Sequence, residues 1–99
     1  MGNIRRVGGI CSSHPEFITV VEELIRSGHE WRDVQDLKRI AGLATRANCE
    51  DCSRWLSFSY AAKTNGYIET SRGKHNACLV RVAPNMTAEL QRVLDWVRA

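Results

Sequence analysis

Nowhere in these 99 residues does an apolar run approach the ~18 residues of a membrane span, so no transmembrane helix is expected. The opening "MGNIRRVGGIC" has charge but no apolar h-region, which argues against a secretory signal. A myristoylation pattern would need Ser or Thr where Arg6 stands, and a cytoplasmic location is the expectation. Cysteine is too sparse for a disulfide scaffold: the four present, Cys11, Cys49, Cys52 and Cys78, are expected to be free thiols or metal ligands in a reducing compartment. Missing too are a phosphate loop, a nucleophile elbow and a paired-carboxylate motif; the Gly8-Gly9 doublet alone is none of these. Neither an enzyme nor a bound cofactor is expected. Only two prolines interrupt the chain, Pro15 and Pro84.

What is present suits one folded domain spanning residues 1–99, with 43% hydrophobic residues against 25% charged, a balance that excludes a disordered chain. Net charge is +3, which mildly favours a polyanionic partner. Its distribution says more. Acids concentrate in 16–36 and 89–95, whereas 63–81 carries Lys63, Arg72, Lys74 and Arg81 against Glu69 alone. One end of the fold is therefore expected to be cationic.

Along "PEFITVVEELIRS", residues 15–27, Phe17, Val20, Val21, Leu24 and Ile25 recur at helical spacing, with Pro15 suited to the first turn and Gly28 to the stop. A second, short helix is expected over 33–41, capped by Asp33, with Val34, Leu37, Ile40 and Ala41 inward. A third is expected from about Asn48 to Lys63, with Asn48 as N-cap and Cys52, Trp55, Leu56, Ser59 and Ala62 as its inner face, unless Phe58 and Tyr60 supply the bulk instead. After "TNG" the period changes to that of strands: "YIETS" and "ACLVRV", joined by "RGKHN", read as a β-hairpin. Thr87 is expected to cap a last helix over 87–99, with Leu90, Val93, Leu94 and Val97 on one face. Residues 1–13 fit either an N-terminal arm or an edge strand.

The order helix, helix, helix, hairpin, helix, with "DVQDLKRIAGLA" before a long helix and "NGYIE" leading into the hairpin, resembles the winged helix-turn-helix superfamily over residues 15–82. The resemblance implies an α+β, mostly helical fold: a three-helix core, a two-stranded wing and an extra C-terminal helix. It implies a third helix that enters the major groove of duplex DNA, in a transcriptional regulator or an accessory DNA-binding factor. The residues offered to DNA would be Arg46, Asn48, Ser53, Arg54, Ser57 and Lys63 on that helix, and Arg72, Lys74 and His75 at the wing tip. Glu50 and Asp51 oppose this, because two carboxylates at the helix start would repel phosphate. They suit a second possibility, the same fold used as an adaptor or inhibitor, contacting a protein through Glu50, Asp51 and Trp96.

Two further features bear on partners. Cys49, Cys52, His75 and Cys78 have zinc-ligand spacing in pairs, but offsets of three along a strand point to opposite faces, so burial of Cys52 and Cys78 as small hydrophobes is preferred to a metal site. Cys11 beside His14 is a further candidate for a reactive thiol. Among the tryptophans, Trp55 is expected in the core, Trp31 as a lid on the first helix, and Trp96 exposed opposite the stripe of the last helix, where a homodimer could form.

Overall fold

The structure, a computed structural model, describes residues 4–99. Among them, five α-helices and a three-stranded antiparallel sheet make an α+β, mostly helical protein.

The N-terminal segment is neither arm nor edge strand, though residues 1–3 lie outside the described residues. It is helix α1, Ile4–Ser13. Ile4, Val7 and Cys11 recur at helical spacing, and Val7 and Cys11 are fully buried. Two adjacent glycines lower helix propensity by about 1 kcal/mol each, which hides this stripe from a propensity argument. Gly8 has a packing reason. A Cβ there would lie 2.5 Å from Cε3 of Trp96, so the indole rests on the bare backbone. Gly8→Ala, worth a gain of about 0.5–1 kcal/mol in an unhindered helix, is therefore expected to lower stability here by about 1 kcal/mol. A lower thermal midpoint with altered tryptophan emission would register it.

The stripe at 15–27 forms α2, Glu16–Arg26, burying Phe17, Val20, Val21 and Leu24. Strand β1, Arg32–Asp33, follows and leads into α3, Val34–Ile40, where Asp33 Oδ1 accepts the Gln35 amide at 2.7 Å as the expected cap. Ile40, expected inward, is 48% exposed, because α3 stops there and the chain turns Leu43 into the core instead. Lys38 is buried in its place, its ammonium 5.8 Å from the centre of the Trp55 ring.

Helix α4, Glu50–Thr64, buries Trp55, Phe58, Ala61 and Ala62. Its inner face is rotated from the one expected: Leu56 is 62% and Tyr60 65% exposed. Phe58 decides the rotation by stacking on Phe17 with ring centres 4.8 Å apart, while Trp55 lies 6.3 Å from Phe17 and 5.8 Å from Phe58. Cys49 stands at the N-cap, and Asn48 before it has φ of 58°, so Asn48 is not the cap. Gly66, at φ +80°, takes the left-handed turn that ends α4.

Strands β2, Ile68–Arg72, and β3, Cys78–Val82, form the hairpin, and β1 pairs with the other edge of β3 in the order β1-β3-β2. The sheet thus has one strand more than the expected wing. Two residues of β1, Arg32 opposite Val80 and Asp33 opposite Leu79, carry no period that sequence could show. On the sheet's inner face Ile68 pairs with Val82 and Thr70 with Val80, and Arg72 with Cys78 continues that face past the core. On the outer face Arg81 bonds Glu69 at 3.0 Å and lies 4.2 Å over the Trp31 ring, so Trp31 packs under Arg81 on the sheet.

Helix α5, Thr87–Arg98, starts after Met86 with no side-chain cap from Thr87, and packs Leu90, Val93 and Leu94 against α1 and α2. Tyr67, between α4 and β2, is fully buried, and its hydroxyl has no partner among the described residues. Burial raises its ionisation above the usual phenol range, with Glu89 adding to the effect. An unsatisfied buried hydroxyl costs about 1–3 kcal/mol. Tyr67→Phe is accordingly expected to raise stability by about 1 kcal/mol, or about 4–8 °C in thermal midpoint.

Candidate nucleic-acid interface

The outward side of α4 is one continuous stripe of Ser53, Leu56, Ser57, Tyr60, Lys63 and Thr64, all exposed. Ser53, Ser57 and Lys63 stand where the sequence suggested. Leu56 and Tyr60 were missed as surface residues, and they dominate the stripe.

The start of α4 is built differently from expectation. Asp51 Oδ2 accepts the Ala44 amide at 2.8 Å, and its Oδ1 accepts from Arg54 Nη1 at 3.2 Å. This carboxylate fastens the 41–49 connection to the first turn of the helix, so Asp51 has a structural role within the fold. Arg54 also lies 3.5 Å from the exposed Glu50 carboxylate. Held between two carboxylates, its guanidinium is partly neutralised, which makes Arg54 a weaker reader of DNA than its position on the helix suggested. Arg46 and Asn48 are exposed in the connection ahead of the helix, where the Arg46 carbonyl accepts the Cys49 thiol at 3.1 Å.

At the hairpin tip, Lys74, His75 and Asn76 form a single 3-10 turn closed by the Gly73 amide donating to the Ala77 carbonyl at 2.8 Å. Arg72 donates to the Asn76 carbonyl at 3.3 Å, which buttresses the turn from the strand. His75 and Asn76 take positive φ of 56° and 62°. Arg72, Lys74 and His75 are all exposed, and no acid occurs between Thr70 and Arg81. The tip is thus a small, shaped cationic projection.

The hairpin strands and α4 border one cleft of about 370 Å³, walled by Leu56 and Ser59 from α4 and by Thr70, Arg72 and Cys78 from the hairpin, with Val34, Trp55 and Val80 also lining it. On the other flank of α4, Ser53 and Ser57 face α1 across a second cleft, and the Arg6 guanidinium lies 5.9 Å over the Tyr60 ring. Leu56 and Tyr60, one turn apart on the exposed side of α4, form an apolar ridge that borders a third, open depression with Ser57 and Ser59.

The cysteines do not converge. Among the described residues no group of three or more His, Cys, Asp and Glu side chains is placed to hold a metal ion, so Cys49, Cys52, His75 and Cys78 do not form the tetrad their spacing allowed. Cys52 is half-buried and Cys78 exposed, against the expectation that both are core residues. Cys11 takes the buried role: desolvation pushes its thiol up to about 12, which removes it as a reactive group at neutral pH. Trp96, expected free for a partner, is 45% exposed and spends one face on Gly8.

No helix among the described residues is long and apolar enough to cross a membrane. Comparison of the chain with protein-family models, with curated proteins and with solved structures finds no match.

Proposed function

We propose that this chain is a winged-helix protein that binds duplex DNA, with α3 and α4 as the helix-turn-helix pair and the β2–β3 hairpin as the wing, and that it serves as a transcriptional regulator or accessory DNA-binding factor. The observation that carries this reading is one cleft shared by Leu56 and Ser59 of α4 and by Arg72 of the hairpin, next to an acid-free tip that exposes Lys74 and His75. A helix and a basic loop on one concave surface match a groove and the phosphates that border it. Lys63 and Arg46, both exposed, add charge near the two ends of α4.

The connection from α3 to α4, residues 41–49, exceeds the ~3–4-residue turn of the usual motif. Asp51 compensates by pinning that connection to α4 through the Ala44 amide. The half-exposed Trp96 supports pairing of two copies through α5, which would present two α4 helices to a two-fold site. A second reading, the same fold as a protein-interaction module, is favoured by the apolar ridge of Leu56 and Tyr60 and by Glu50, which is exposed at the start of the same helix.

Titration of a random-sequence duplex, followed by fluorescence anisotropy at low and moderate salt, separates the two. DNA binding predicts association at low salt that weakens steeply as salt rises. No association at low salt removes the first reading.

A further inference from the structure

We propose that Leu56 and Tyr60 are the base-reading residues of α4 and that they select thymine through its C5-methyl group. This deepens the DNA-binding reading and rests on it.

Apart from Lys63 near its C-terminal end, the stripe that α4 exposes lacks the side chains that read guanine or adenine bidentately. Arg54 is engaged by Glu50 and Asp51, and Asn48 precedes the helix in a left-handed turn. What the stripe offers is the Leu56 side chain, the Tyr60 ring one turn further on, and the hydroxyls of Ser53 and Ser57. The major groove has one apolar feature per A·T pair, the thymine methyl, and apolar side chains recognise it by contact. Leu56 and Tyr60, 62% and 65% exposed, are the large apolar side chains that this side of α4 offers to a groove. The Arg6 guanidinium of α1 lies over the Tyr60 ring at 5.9 Å. Charge complementarity makes DNA the occupant of this face: Lys63 lies on the stripe and Arg72 walls the adjoining cleft, with Lys74 beyond it. The acids nearest the stripe, Glu50 and Asp51, face Arg54.

The test compares three sets of duplexes of equal length at one salt concentration: an A·T-rich duplex, the same duplex with every thymine replaced by deoxyuridine, and G·C-rich duplexes with cytosine or 5-methylcytosine. The expected order is tighter binding to thymine than to deoxyuridine, by about fourfold per methyl contacted, and a gain when 5-methylcytosine restores a methyl at the same ring position. Leu56→Ala, a surface change that spares the core, is expected to abolish most of the thymine preference while retaining the salt-dependent component. Equal affinity of the native protein for thymine and deoxyuridine duplexes overturns this inference while leaving DNA binding intact. So does a Leu56→Ala variant that keeps the full preference. Failure to bind any of the duplexes overturns DNA binding and this inference together, and leaves the ridge to a protein partner.

Discussion

Replacing Phe58 by alanine is expected to destabilise the protein by about 3–5 kcal/mol, the largest effect of any single substitution considered. The side chain is fully buried at the centre of an aromatic cluster, stacked on Phe17 at 4.8 Å and 5.8 Å from Trp55. Its removal opens a cavity at the junction of α2 and α4, which neither helix can close without shifting against the other. A domain of this size has about 5–15 kcal/mol of stability in total, so the variant should unfold at a much lower denaturant concentration and be partly unfolded near body temperature. Phe58→Leu, which keeps most of the volume, is expected to lose less than half as much. The comparison is informative because Phe58 sets the rotation of α4. If Phe58→Ala cost no more than an exposed substitution, the inward face would have to be the one containing Leu56 and Ser59, and the ridge proposed to meet DNA would not exist.

The same helix shows where sequence pattern runs out. Along α2 the apolar residues occupy one face only, so period and both ends were legible. Along α4 bulky apolar residues lie on both sides: Trp55 and Phe58 inward, Leu56 and Tyr60 outward. Periodicity cannot choose between such faces; the partner ring of Phe17 does. The hairpin and its basic tip could be read because strand period and turn residues are local signals. Helix α1 could not, since Gly8 is selected by the Trp96 ring from the other end of the chain. The role of Asp51 was hidden for a related reason. A carboxylate in the first turn of a helix reads as a dipole complement or as repulsion toward phosphate, and nothing local announces that its second oxygen accepts the Ala44 amide. With that bond drawn, the pair of acids in "ANCEDCSRWL" becomes a weaker objection to DNA, one carboxylate in place of two. Asp51 is occupied within the fold, and the single charge of Arg54 is shared between it and the exposed Glu50, so one negative charge remains in excess.

In the salt titration of a random duplex, the double replacement of Arg72 and Lys74 by alanine is expected to lower affinity at low salt at least tenfold and to reduce the slope of log affinity against log salt by about two. Both side chains are exposed on the tip, and neither has an acidic partner there to neutralise it, so each is available to one phosphate. Arg72 bonds the Asn76 carbonyl, so its loss would loosen the turn as well as remove a charge. Arg72→Lys with Lys74→Arg keeps both charges and separates these effects: the slope should be native, and any residual loss measures the shape of the tip. Any loosening should stay within the hairpin tip and global stability should change by less than about 0.5 kcal/mol, because neither side chain is buried. A native slope in the double alanine variant would take the hairpin out of the interface. The cationic end of the molecule would then be a device for solubility, and the exposed ridge of α4 would have to find its partner without phosphate to guide it.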